Sequence, residues 1–155
     1  MAKVARAARN ASLMRVETLT PSSDGSVSTP TKIITDAETG ELYFINIADN
    51  TCVVQLPVPR EGMYFKFVLT LASNDEGTKD FAVITDSADT NMHGGILVNG
   101  AINEVASRST IQLDSNAGAA TTGDFLECVS DGSDWYVFGN FDSASSLALN
   151  DGHVL

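Results

Sequence analysis

The sequence predicts an all-β fold: a single-domain antiparallel β-sandwich or jelly-roll-like barrel, with an N-terminal arm that is extended or a short helix. Apolar runs of about four to nine residues recur roughly every ten residues, and turn-forming residues separate them. No stretch after residue 15 has the 3.6-residue period of an amphipathic helix. A chain of 155 residues suits one domain. We divide it into an arm (1–15), a β body (16–139) and a tail (140–155).

The arm is basic, whereas the rest of the chain is acidic. Residues 1–15 carry four basic side chains and no acid, and the other 140 residues carry 5 bases against 20 acids. A segment this short is not a stable helix by itself in water, although Ala, Lys and Arg favour one. We expect the arm to bind an acidic partner through its basic residues and the adjoining apolar pair. These residues are Lys3, Arg6, Arg9, Leu13, Met14 and Arg15.

The first half of the body is predicted to contain five strands. Leu13–Thr20 precedes a turn-rich linker, Pro21–Pro30, and a hairpin is expected around the turn DAETGE. The clearest strand lies between Met63 and Leu71, where alternate residues are apolar and predict one face in the core. The remaining runs in this half are Lys32–Thr35, Leu42–Ile47 and Cys52–Leu56.

The second half is predicted to contain two hairpins and two further strands, Phe81–Thr85 and Thr110–Leu113. Asn-Gly and Asp-Gly dipeptides mark the hairpin turns, because they accept positive φ at low cost. One hairpin is Ile96–Ile102, divided at Asn99-Gly100. The other joins Phe125–Ser130 to Trp135–Phe138.

The last of these strands has apolar residues on both faces, unlike a strand with one solvated face. One face would pack on the opposite sheet, and a loop, a chain terminus or a neighbouring subunit would cover the other. We therefore predict Trp135, Tyr136 and Phe138 as contacts between copies of the chain.

Two cysteines and several acidic loops raise the question of a metal site. Cys52 and Cys128 both lie in apolar runs, which favours free buried thiols, and two cysteines without matched histidines do not make a zinc site. The Asp-rich loops lack the ligand spacing of an EF-hand. We predict no metal and no cofactor.

The sequence carries no recognisable catalytic motif, and we predict that the protein is not an enzyme. Glu127 is the one acid inside an apolar run, which suggests either a general acid or an outward residue of an edge strand. A lectin or a carbohydrate-active enzyme stays an alternative, with an aromatic platform for sugar stacking. That platform would consist of Tyr43, Tyr64, Trp135 and Tyr136.

Charge and hydropathy disfavour two other classes of partner. Nucleic acid binding needs clustered Lys and Arg, and the 140 residues after the arm carry a charge of −15. No apolar run approaches the roughly 20 residues of a membrane-spanning helix. We predict neither a nucleic-acid nor a membrane partner.

Three segments resemble small β proteins of tailed-bacteriophage virions. They are ELYFINIADN (41–50), VVQLPVPREGMYFKFV (53–68) and GDFLECVSDGSDWYVFG (123–139). The resemblance is to head decoration (cement) proteins and to head or tail fibre modules, in which an LP…G…F segment precedes a DG…W.V.G hairpin. It implies a protein of the virion surface, often trimeric, without an active site.

From this resemblance and the arm we expect a structural virion protein that decorates and stabilises a phage capsid. It would bind the major capsid protein lattice as a homotrimer and lie on the capsid surface after assembly in the host cytoplasm. A receptor-binding or fibre module of a phage virion is the alternative.

Overall fold

A computed structural model describes residues 15–71, 79–87, 89, 91–113, 121–142 and 147–151. These residues form twelve strands and one short 3₁₀ helix, Asp36–Glu38. The strands are β1 Val16–Leu19, β2 Lys32–Ile33, β3 Leu42–Asn46, β4 Cys52–Gln55, β5 Tyr64–Leu71, β6 Phe81–Ile84, β7 Met92–Val98, β8 Ala101–Arg108, β9 Thr110–Leu113, β10 Phe125–Ser130, β11 Trp135–Phe141 and β12 Leu147–Asn150.

The strands make two sheets that enclose one hydrophobic core, which is a β-sandwich-like arrangement. The seven-stranded sheet has the order β1-β3-β5-β10-β11-β7-β8, and the five-stranded sheet has the order β12-β9-β6-β4-β2. Buried apolar side chains of both sheets belong to the same core cluster. Phe67 of β5 and Phe81 of β6 meet across the sandwich, with ring centroids 5.7 Å apart. The all-β prediction is confirmed.

Both sheets are mixed, so the prediction of a purely antiparallel fold was wrong. The pairs β1–β3, β3–β5 and β11–β7 in one sheet, and β2–β4 and β4–β6 in the other, are parallel. The chain alternates between sheets from β2 to β7. Between two successive strands of one sheet, the chain passes through a strand of the other sheet. Successive strands of one sheet therefore run in the same direction.

The two predicted hairpins of the second half are confirmed. β7 and β8 pair antiparallel around Asn99-Gly100, whose φ angles of 48° and 81° are those of a type I′ turn. β10 and β11 pair antiparallel around the turn that contains Gly132, at φ 105°.

The predicted hairpin around DAETGE was wrong. β2 pairs with β4 in the five-stranded sheet, whereas β3 lies in the seven-stranded sheet. The 3₁₀ helix between them carries the chain from one sheet to the other. Thr35 precedes this helix, and its backbone N–H donates a hydrogen bond to Glu38 Oε2.

The period-2 pattern of the central strand is confirmed. Met63, Phe65, Phe67 and Leu69 are buried, and the alternate side chains between them are half-buried on the outer face. The same outer face carries the exposed apolar side chains of Leu97, Ile102, Tyr136 and Phe138.

The C-terminal segment contributes more structure than the predicted tail. β11 continues to Phe141, and β12 pairs antiparallel with β9 at the edge of the five-stranded sheet. Cys52 and Cys128 are buried free thiols, as the sequence indicated.

Candidate interaction surface

Four exposed apolar side chains share the outer face of the seven-stranded sheet, on three neighbouring strands. Two lie on β11, one on β7 and one on β8. We call them the apolar patch: Leu97 (39% exposed), Ile102 (79%), Tyr136 (38%) and Phe138 (52%).

The register of the strands makes this patch continuous. Leu97 and Ile102 are direct partners across β7–β8, and Phe138 lies opposite Gly95 across β11–β7. A Cβ atom built on Gly95 would lie 3.2 Å from Ile102 Cγ2, so the Ile102 side chain leans over the glycine. Side chains from three strands therefore form one apolar surface on a rigid sheet.

Trp135, the third residue predicted to contact another copy, lies in the core instead. Its side chain is fully buried, and its ring centroid is 5.8 Å from that of Phe65. Because residues alternate along a strand, Trp135 and Val137 point inward while Tyr136 and Phe138 point outward. The assignment of Trp135 to a surface contact was wrong, because its side chain has no surface to offer.

Leu97 and Ile102 were not among the residues predicted for the contact. The sequence does contain a pattern that could have indicated them. Ile96, Leu97 and Val98 are consecutive apolar residues, and the second strand of the last predicted hairpin has the same kind of run. Ile96 and Val98 are buried, so Leu97 must face outward.

Carboxylates flank the patch at its hairpin end. The Tyr136 hydroxyl donates a 3.2 Å hydrogen bond to Asp131 Oδ2, and His93 Nε2 lies 3.8 Å from Asp134 Oδ1. Backbone N–H groups of Asp134 and Ser133 bind Asp131 and lower the pKa of its carboxyl. The same carboxylate raises the pKa of the Tyr136 phenol. Asp131 is thus an ionised rim residue.

Two more carboxylates lie beside the patch on the sheet. Glu127 is the cross-strand partner of Phe138, and Glu104 is the partner of Gly95. Lys66 Nζ lies 2.6 Å from Glu127 Oε1 and 4.6 Å from the centroid of the Phe125 ring. Glu127 is therefore an ion-paired residue of the outer face rather than an acid in an apolar pocket.

The arm meets the body at Arg15, the first described residue. The backbone N–H of Leu42 donates a 2.8 Å hydrogen bond to the Arg15 carbonyl. The Arg15 guanidinium lies 3.5 Å from Glu41 Oε1 and donates to the Ala37 carbonyl at 3.4 Å. The other predicted arm residues lie outside the described residues: Lys3, Arg6, Arg9, Leu13 and Met14.

Three carboxylates cluster beside this junction. Glu17, Glu38 and Glu41 place oxygen atoms within 4.8 Å of one another, close enough to hold a metal ion. Lys32 Nζ already lies 2.9 Å from Glu17 Oε2 and 2.6 Å from Glu38 Oε1. The sequence alone did not predict this group, because β1, the 3₁₀ helix and the residue before β3 each supply one member.

The protonation of this cluster follows from its contacts. Burial opposes the charged form of Lys32, but hydrogen bonds to Glu38 and Glu17 outweigh it and raise the pKa of the ammonium. Burial, then a 2.9 Å hydrogen bond donated to Glu41 Oε2, raises the pKa of the Tyr43 phenol well above its usual range. The cluster is thus an ion-pair network that already contains its own cation.

The aromatic platform of the lectin alternative is not assembled. Tyr43 is fully buried and stacks on Phe67 with ring centroids 5.4 Å apart, and Trp135 is also in the core. Tyr64 is half-buried, and only Tyr136 of the four is exposed.

No protein-family model matches the chain, and no curated protein is similar to it. Within the described part of the chain, no helix has the length and apolar character needed to cross a membrane. The class that fold and surface define is a β-sandwich-like protein with an acid-rimmed apolar patch on one sheet.

Proposed function

We propose that this chain is a structural protein of a phage virion that decorates and stabilises the capsid as a homo-oligomer. The observation that carries the proposal is the apolar patch. Contiguous exposed apolar side chains on a rigid sheet mark a surface that binds another protein. Tyr136 and Phe138 are aromatic anchors of the kind that contribute most binding energy at interfaces.

The patch is the contact between copies, and the arm is the contact with the major capsid protein lattice. Arg15 anchors the base of the arm to the body through Glu41 and Ala37, so the arm leaves the sandwich from a fixed point. Exposed charge pairs contribute only about 0.2–1 kcal/mol each. Leu13 and Met14 must therefore add apolar contacts on the lattice.

The proposal also includes the predicted oligomeric state, arm conformation, sheet closure and location. The oligomer is a trimer, the arm is extended or a short helix, and the two sheets close as a jelly-roll-like barrel. The protein is assembled in the host cytoplasm and lies on the capsid surface. It acts without a cofactor and is not an enzyme.

A receptor-binding or fibre module is the second candidate, and one observation favours it. Tyr136 and Phe138 are exposed aromatic residues next to the carboxylates of Asp131 and Glu127, and such rings also stack on sugars. This function predicts binding to cell-surface glycans.

The test compares two ligands for the same purified chain. Capsids of the source virus that lack this chain, and host cells or their isolated surface glycans, are each titrated with labelled protein. We expect saturable co-sedimentation with capsids and none with cells. Saturable binding to cells, together with no binding to capsids, would replace decoration with the receptor-binding function.

A further inference from the structure

We propose that residues 1–14 of the basic arm bind the apolar patch of the same chain and cover it until another surface binds them. This inference deepens the proposed function and rests on its assignment of the patch to self-association. Under this proposal, copies of the chain associate weakly while the arm covers the patch and more tightly once the arm has left it.

The sheet places the base of the arm level with the patch. Cross-strand partners form one line over the outer face, beginning at the first residue of β1 and ending on β8. The line is Val16, Leu42, Lys66, Glu127, Phe138, Gly95 and Glu104. Direct partners point to the same face of a sheet. An arm that turns back over Val16 therefore meets Phe138 by crossing the sheet along one row of side chains.

The arm is long enough to make this crossing. β11 is four strands from β1, and β8 is six strands away. At about 4.8 Å per strand these distances are roughly 19 and 29 Å. Fourteen extended residues span about 46 Å. Even with a turn at its base, the arm reaches the far edge of the patch.

The charges of the arm and of the patch rim are complementary. Residues 1–14 carry Lys3, Arg6 and Arg9 and no acid. Four carboxylates flank the patch, and one of them, Glu127, is already paired with Lys66. The other three, Glu104, Asp131 and Asp134, equal in number the basic residues of segment 1–14, and His93 Nε2 lies 3.8 Å from Asp134 Oδ1.

The apolar content of the arm matches the apolar surface. Val4, Leu13 and Met14 are its larger apolar residues, and five alanines separate the polar ones. Small side chains let an extended backbone approach Phe138 and the Ile102 side chain that leans over Gly95. Covering this surface removes apolar area from water, which is favourable.

A cover of this kind competes with other copies for the patch. If the arm occupies its own patch for nine-tenths of the time, the apparent association constant between patches falls about tenfold for each covered patch. When the capsid binds the arm, the patch is no longer covered. Copies on the lattice would then associate more tightly than copies in solution.

The experiment uses full-length chains and needs no capsid. The K3E/R6E/R9E variant reverses the charge of the arm, and K3R/R6K/R9K is the matched control that keeps it. Association constants are measured by sedimentation velocity at about 50 and 500 mM NaCl, because added salt screens exposed charges. A synthetic peptide of residues 1–14 is then titrated into the charge-reversed chain, with backbone NMR shifts of Ile102, Tyr136 and Phe138 as readout.

We expect the charge-reversed chain to associate at least tenfold more tightly than the intact and control chains at low salt. The difference should shrink at high salt. The peptide should shift the patch resonances and suppress association. Equal association of all three chains, together with no shift on peptide addition, would overturn the proposal. If no chain associates yet the peptide shifts the patch, the cover stands and self-association through the patch fails.

Discussion

Phe138 and Gly95 lie directly opposite each other across the parallel β11–β7 pair, so one side of the phenyl ring faces a residue without a side chain. The Ile102 side chain leans over the glycine and occupies part of the space that a side chain there would take. The half-exposed ring and the exposed Ile102 side chain are two apolar groups that an incoming side chain can contact together. The first prediction follows from this geometry.

Replacing Phe138 or Ile102 by Ser should weaken self-association at least tenfold and leave the fold intact. Both side chains are exposed in the single chain, so their loss changes the free energy of unfolding by only about 0.5 kcal/mol. Light scattering measures the oligomer, and urea unfolding measures stability. The control is Val58→Ser, an exposed apolar residue outside the patch. Unchanged association in both patch variants would contradict the assignment.

Replacing Trp135 by Ala should destabilise the fold by about 3–5 kcal/mol, because it removes the largest fully buried side chain of the core. Trp135→Phe should cost much less. The indole Nε1 has no hydrogen-bond partner within the described residues, so the smaller ring breaks no bond that they provide. Denaturant titration measures the free energy of unfolding of each variant. A decrease below about 1 kcal/mol for Trp135→Ala would be inconsistent with a core position.

Stability should fall as the pH rises above about 9, the ordinary thiol pKa. Burial raises the pKa of Cys52 to about 12, and burial raises the pKa of Cys128 still further. Between the unfolded and folded pKa values the folded state holds protons that the unfolded state has lost. Each thiol then lowers the free energy of unfolding by up to about 1.4 kcal/mol per pH unit.

Urea titrations between pH 7 and 11 test this, with Cys128→Ala as the comparison. The variant should show a shallower decline, since it has one buried thiol fewer. Tyr43, whose pKa is also raised, adds to the decline above about pH 10 in both chains. Identical slopes in the two chains would show that the Cys128 thiol ionises freely in the folded state.

Lys32→Met should destabilise the chain by about 1–3 kcal/mol at neutral pH, since it leaves Glu17 and Glu38 without their ammonium partner. Lowering the pH below about 4 should reduce this penalty, because protonated carboxyls no longer repel one another. The measurement is the difference in the free energy of unfolding between variant and parent across pH 3–7. A penalty that does not change with pH would mean that packing, not charge, explains the loss.

Much of the body was predictable because its signals are local. Alternation along Met63–Leu69 fixed the core face of β5, and Asn99-Gly100 fixed a turn, since each depends only on neighbouring residues. The pairing of β2 with β4 and of β3 with β5 was not predictable in this way. Those partners lie far apart in sequence, and a short turn such as Asp36–Glu38 permits a change of sheet as readily as a hairpin.

The surface was predictable in part. The apolar residues on both faces of β11 indicated that other parts of the protein or a partner cover both faces. The two-residue period of a strand did not show which of the two faces belongs to the core. The burial of Trp135 and the exposure of Tyr136 and Phe138 settle this for the single chain. Leu97 and Ile102 join them only through the register of β7, β8 and β11, which is a property of the sheet.

The most direct test of the proposed decoration function compares the intact chain with a chain that lacks residues 1–12, on capsids of the phage to which this function would assign it. Electron microscopy or densitometry of purified particles measures the bound copies at equal protein and salt concentrations. We predict saturating occupancy by the intact chain and greatly reduced occupancy by the truncated one, with circular dichroism confirming that both are folded. Equal occupancy by the two chains would contradict the role of the arm, and no occupancy by either would contradict decoration itself.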